Sequence, residues 1–177
     1  MSPRRTRPPL TREKLDELAL AYVARFATSR KKVADYLHRK VRERGWDGEG
    51  EAPVMAIVER LVDLRYVDDA AFAQSKARSM RQRGYGNRRV GVALQAAGID
   101  EESRGDALDC GALDEAEAAL RFARRRRIGP YAAENGDRAQ QEKWLAAMLR
   151  AGHGLDLSRR IILWAGDNEP EPERLID

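Results

Sequence analysis

The chain has 177 residues, 42% hydrophobic and 35% charged, with a formal net charge of +4. Aromatics make up only 6%, which disfavours a β-sandwich and suits helices built from Ala, Leu, Arg and Glu. Cys110 is the only cysteine, which excludes an internal disulfide and points to a reducing compartment. No stretch approaches the roughly 18 apolar residues of a membrane span, so the expected location is cytoplasmic.

Residues 1–10 are basic and proline-rich, with none of the apolar core a secretory signal would need, and read as a flexible arm. Thr11 then caps a first helix whose apolar face is Leu15, Leu18, Tyr22 and Phe26. Thr28 and Ser29 break that helix and cap a second, with Val33, Leu37 and Val41 on one side. Pro53 opens a third, lined by Ile57, Leu61 and Leu64. The Tyr66-Val67-Asp68-Asp69 segment reads as a helix stop followed by an N-cap, its acids favourable to the next helix dipole. Helices follow over about 69–83, 87–97 and 101–110, with a Gly84-Tyr85-Gly86 turn between the first two. A final set starts at Leu113-Asp114-Glu115, runs through Phe122 to Arg127, and resumes over about 139–151 and 156–165. From Gly166 onward five acids (Asp167, Glu169, Glu171, Glu173 and Asp177) face one base, Arg174. Residues 167–177 are therefore expected to form a disordered acidic tail on a more basic body.

A repeat underlies this order. Gly45, Gly98 and Gly152 are spaced 53 and 54 residues apart. Each follows apolar residues four and eight positions back: Val41 and Leu37, Leu94 and Val90, Met148 and Trp144. Residues at that spacing share one helical face, and the glycine supplies the left-handed residue that ends the helix. A period near fifty is the mark of a tandem array built from one helical unit. The predicted architecture is all-α: an elongated array of three three-helix, helix-turn-helix-like repeats over 11–67, 68–112 and 113–166.

The candidate binding residues are basic. Between Ala70 and Ile99 there is no acid, while Lys76, Arg78, Arg81, Arg83, Arg88 and Arg89 surround Tyr85 in its glycine-flanked turn. Such side chains neutralise phosphates or carboxylates, and a tyrosine in a tight turn stacks on a partner or packs between helices. A second cluster is Arg121 with Arg124, Arg125, Arg126 and Arg127. Four consecutive arginines spread around a helix, leaving Arg121, Arg124 and Arg125 to share a face. A merely solvated basic surface would have the same composition. His38 and His153 lie far apart, and no metal-ligand spacing or phosphate loop occurs. No catalytic residue, metal or cofactor is expected, and no enzyme activity.

The central stretch carries a resemblance. Tyr66-Val67-Asp68-Asp69-x-x-Phe72-Ala73, followed by Arg83-Gly84-Tyr85-Gly86-x-Arg88-Arg89-Val90-x-x-x-Leu94-x-x-x-Gly98-Ile99, resembles the signature of the RecX family, regulators of the RecA recombinase. Tyr22-Val23-Ala24-Arg25 with Ser29-Arg30 is similar to that family's first repeat. Asn87 stands where the family usually has proline, and Lys76 where an aromatic is usual. The resemblance implies a protein that binds in the helical groove of the recombinase–DNA filament, bridging neighbouring protomers, and the chain is expected to be a monomer. It would restrain ATP hydrolysis, strand exchange and coprotease activity, with at most weak direct binding to DNA. From another class, paired short helices bearing arginines also fit a nucleic-acid-binding module acting without a recombinase.

Overall fold

The structure, a computed structural model, describes residues 8–134, 136–166 and 169–176. Among these residues there are nine α-helices and no sheet. In chain order they form three trios. The first is α1 (Arg12–Val23), α2 (Arg30–Arg44) and α3 (Val54–Asp63). The second is α4 (Asp69–Gln82), α5 (Asn87–Ala96) and α6 (Glu101–Leu108). The third is α7 (Ala112–Arg126), α8 (Arg138–Arg150) and α9 (Leu155–Ile162). The all-helical repeat expected from the periodicity is thus the observed fold class.

Local chemistry sets the boundaries. Thr11, Ser29, Asp100 and Asp137 each accept a hydrogen bond from the third residue beyond, satisfying a backbone donor that the helix start leaves free. All three repeat glycines have positive φ: +83° at Gly45, +77° at Gly98 and +96° at Gly152. Leu37, Val90, Leu94 and Met148 are buried, as the shared face requires. Asp68 rather than Asp69 caps α4, its Oδ1 accepting from the Ala71 N–H at 2.8 Å. Asp69 instead accepts from the Arg30 N–H at 2.9 Å, at the start of α2.

Packing divides the described residues into two compact units, 8–72 with 97–99, and 73–96 with 100–176. In the first, α1, α2 and α3 pack on one another around Leu15, Val33, Leu37, Ile57, Val58 and Leu61. Leu10 joins this core with no exposed surface, which corrects the expectation of a flexible arm reaching residue 10. Its N–H donates to the Gly45 carbonyl at 3.0 Å and its carbonyl accepts from Asp47 N–H at 2.9 Å, while the Arg44 guanidinium donates to the Pro8 carbonyl. Burying one leucine contributes about 2 kcal/mol, enough to fix the segment once its backbone is paired. Residues 1–7 lie outside the described residues.

In the second unit α7, α8 and α9 enclose Ala119, Leu120, Phe122, Ala123, Met148 and Ile161. Leu175 belongs to that core at 2% exposure, on a 3₁₀ turn over Pro172–Leu175. Its carbonyl accepts from Arg160 Nη1 at 2.9 Å, and Glu169 pairs with Arg124 at 2.9 Å. The expected disordered tail is therefore ordered over 169–176, because one leucine among its acids finds an apolar seat. Asp167, Asn168 and Asp177 lie outside the described residues. Helix α9 stops at Ile162, short of the expected 165, and Trp164 folds against the core instead.

Candidate partner-binding groove

The groove starts at the turn between α4 and α5. Gly84 takes φ +78°, which lets the chain reverse so that the Tyr85 N–H donates to the Met80 carbonyl at 3.1 Å. The Gly86 N–H then donates to the Ala151 carbonyl at 3.0 Å, and the Arg88 N–H to the Gly152 carbonyl at 3.2 Å. The start of α5 is thereby docked onto the end of α8. A buried imidazole closes the back of the turn: His153 Nε2 lies 3.1 Å from the Gly84 carbonyl, to which it donates as the neutral tautomer. Burial depresses its pKa from 6.5 to about 4, against the opposing pull of that hydrogen bond.

Tyr85, half-buried, is ringed by guanidinium groups. Arg89 lies 4.8 Å from the ring centroid, Arg83 5.6 Å and Arg125 6.0 Å. Arg125 Nη1 donates to the Arg83 carbonyl at 2.6 Å, and Arg89 Nη1 to the Arg150 carbonyl at 3.3 Å. On one side of Tyr85 opens a groove of about 830 Å³, whose charged walls are Lys76, Arg83, Arg88, Arg89 and Arg150. On the other is a hollow of about 510 Å³ that adds Arg125 and Arg126. No acidic side chain lines either space. Among the described residues, none of these seven cations is ion-paired. Like charges gathered without counter-charge raise the local potential and favour an anionic partner.

The remaining sequence candidates lie elsewhere. Arg81 is committed to the scaffold, donating to Asn87 Oδ1 at 3.1 and 2.8 Å and to the Ala107 carbonyl at 2.9 Å. Asn87 completes that knot by donating to Glu115 Oε1 at 2.5 Å and to the Leu108 carbonyl at 3.1 Å. Arg78 and Arg121 border a small hollow that also contains Asp114 and Glu117, and Arg121 pairs with Glu117. Helical spacing keeps Arg121, Arg124 and Arg125 on neighbouring positions of α7, but their side chains go to different partners: Arg121 to Glu117, Arg124 to Glu169 and the Tyr131 ring, and Arg125 to Tyr85. Arg127 caps α7 at φ +53° and borders, with Arg126, a hollow that contains Glu134 and Asp137.

Arg150 was not anticipated from sequence. Its one signal is its position two residues before the third repeat glycine, which places it where α8 ends. Among the described residues no helix is long and apolar enough to cross a membrane, and no group of three or more His, Cys, Asp or Glu is placed to hold a metal.

Comparison with known proteins agrees with this architecture. Residues 68–108, which span α4 to α6, match the family model described as RecX, second three-helix domain. A regulatory protein RecX from Myxococcus xanthus (strain DK1622) is 32% identical over 84% of this chain and 83% of its own length. One from Mycobacterium sp. (strain KMS) is 33% identical over 87% of this chain and 86% of its own. The crystal structure of RecX from Lactobacillus salivarius superposes with a TM-score of 0.66 at 26% identity, covering 85% of this chain and 94% of that one. By sequence and by fold alike, the chain belongs to the RecX family of regulatory proteins.

Proposed function

We infer that this RecX-family regulator acts on the RecA recombinase, binding its filament on DNA in the cytoplasm as a monomer. There it restrains ATP hydrolysis, strand exchange and coprotease activity, and so modulates recombination, repair and the SOS response. The three repeats, over 11–67, 68–112 and 113–166, are the contact units, so that weak local contacts add into a strong combined one. The protein has no catalytic role in this reading. The observation that carries it is the groove around Tyr85: seven cations from α4, the turn that follows it, α5, α7 and α8 meet with no acid among them. Arg89 and Arg125 each spend one donor on a backbone carbonyl, which leaves their positive charges uncompensated, whereas Arg81 is engaged with Asn87 and the Ala107 carbonyl outside the groove.

The test is titration of the protein into preformed recombinase filaments on single-stranded DNA, following ATP hydrolysis and filament length together. The expected result is inhibition at substoichiometric amounts. Inhibition only at amounts that coat the DNA, with equally tight and steeply salt-dependent binding to DNA alone, would favour a nucleic-acid-binding module instead.

A further inference from the structure

The groove on the α4–α5 side of Tyr85 is more than a basic patch. Its floor comprises Met80, Val92, Ala93, Ala96 and Leu149. These residues follow from helical register: on α5, Val92 and Ala93 lie one turn beyond Arg88 and Arg89, and Ala96 a further turn on. On α4, Met80 stands one turn from Lys76. The two helices are joined by the short turn at residues 83–86. The cations Arg83, Arg88, Arg89 and Arg150 therefore gather at the turn end, the apolar side chains occupy the middle, and Lys76 marks the far end. From Arg88 to Ala96 the floor runs about 12 Å along α5.

Val92 is 68% exposed, a β-branched apolar side chain held open to solvent in the middle of a cationic rim. The floor would gain most from an occupant bringing apolar side chains of its own. A nucleic-acid strand fits this poorly. Its charges repeat every 3.4 Å or so along each strand, without an apolar interval. Its bases stack best on a free aromatic face, and Tyr85, the aromatic residue lining the groove, is already approached by three guanidinium groups.

We propose that this groove is a peptide-binding site for an acidic amphipathic segment of a protein partner: carboxylates at both ends and, between them, apolar side chains one helical turn apart. The carboxylates meet Arg83, Arg88, Arg89 and Arg150 at one end and Lys76 at the other, while the apolar pair covers Met80 and Val92. At about 830 Å³ the space suits a short helical segment laid into a groove. The inference rests on the reading of this protein as a filament regulator, and it assigns the groove to the protein component of the filament rather than to its DNA.

The experiment uses the full chain and three fluorescent probes read by anisotropy. One is a helical peptide of about fifteen residues with two leucines one turn apart and flanking glutamates, in keeping with the register above. The second has the same composition with the leucines on opposite faces, and the third is a single-stranded oligodeoxynucleotide. The expected result is that the first peptide binds at least tenfold more tightly than its scrambled partner. Val92→Asp, at an exposed position, should remove that preference with helicity unchanged by circular dichroism. Equal binding of the two peptides, an unaltered preference in the Val92→Asp protein, or displacement of the first peptide by the oligonucleotide at equal affinity would each overturn the proposal. The two readings fail separately. If the peptides show no preference yet Arg88→Glu/Arg89→Glu lifts inhibition of the filament ATPase, the peptide site is wrong and filament regulation stands. If that double variant inhibits fully, filament regulation through this groove is wrong whatever the peptides do.

Discussion

Gly86 and Gly152 meet backbone against backbone. A Cβ added at Gly86 would lie 2.3 Å from the Gly152 carbonyl oxygen, and one added at Gly152 would lie 2.5 Å from the Arg89 nitrogen. This approach lets the N–H groups of Gly86 and Arg88 reach carbonyls at the end of α8, and it carries Arg89 to within 4.8 Å of the Tyr85 ring centroid. The walls of the groove therefore depend on two positions that contribute no side chain.

Replacing either glycine by alanine should separate these backbones, because the atoms in the way are main-chain atoms that cannot rotate aside. Gly152→Ala adds the cost of positive φ, so each variant should lose at least about 2 kcal/mol in urea or thermal unfolding. Gly45→Ala should lose less, since its added Cβ would meet only Pro9 Cβ at 3.8 Å and the φ penalty stands alone. Gly98→Val should fall on the severe side, with the Lys31 side chain 2.5 Å from the new Cβ as well as an unfavourable φ. Equal melting temperatures across the series would contradict this ranking.

His153 gives the fold an acid-sensitive joint. Its pKa is about 4 when folded and near 6.5 when free, so below 6.5 the unfolded chain binds a proton that the folded chain refuses. Stability from this group is thus fully present above pH 6.5 and is lost as pH falls from there towards 4. The full loss is on the order of 3 kcal/mol, at about 1.4 kcal/mol per pKa unit. His153→Gln retains an N–H donor for the Gly84 carbonyl but does not titrate. Urea unfolding at pH 7 and pH 5 should show a drop for the natural protein that is much reduced in the variant; parallel drops in both would rule out the histidine.

Those two joints differ in how far the sequence announces them. The glycine stops, the Thr11 and Ser29 caps and the buried faces of α2, α5 and α8 are local, set within about one or two helical turns, and so are readable from spacing. The scaffold of the groove is not local. Asn87 reaches Glu115 across 28 residues and Arg89 reaches the Arg150 carbonyl across 61. Nothing in the neighbourhood of Arg81 indicates that Asn87 will occupy it, or that Arg150 will join Arg88. Leu10 and Leu175 were obscured for a related reason: each is one apolar residue in a polar or proline-rich stretch, too short to show a period. The Ser29 hydroxyl combines both cases, capping α2 as its local sequence implies while donating to the Ala97 carbonyl at 2.6 Å.

Leu175 should be a genuine core residue despite lying near the end of an acidic segment. Leu175→Ala should cost about 2–4 kcal/mol, the range for truncating a buried leucine. Glu173→Ala, at an exposed site on the same turn, should change stability by less than about 0.5 kcal/mol. Chemical denaturation of the two variants checks this; similar midpoints would mean that the segment contributes nothing to the fold.

The arginines should separate into two classes on charge reversal. Arg88 and Arg89 border a groove without acids, so Arg88→Glu/Arg89→Glu places two negative charges among the remaining cations of the rim. An anionic partner then loses two attractions and meets two repulsions, and inhibition of filament ATP hydrolysis should fall by at least tenfold, equivalent to about 1.4 kcal/mol or more. Arg78→Glu changes a residue outside that groove, beside Asp114 and Glu117, and should leave inhibition within about twofold, a change of only about 0.4 kcal/mol. Arg81→Glu should fail differently, because it sets a carboxylate against Asn87 Oδ1 and the Ala107 carbonyl. Its main effect should be lost stability, on the order of 3 kcal/mol, with weaker inhibition only as a consequence of unfolding. Measuring circular dichroism melts and ATPase inhibition on the same preparations distinguishes the classes. A stable Arg81→Glu protein, or one Arg78→Glu protein as impaired as the double variant, would show that partner contact extends beyond the groove around Tyr85.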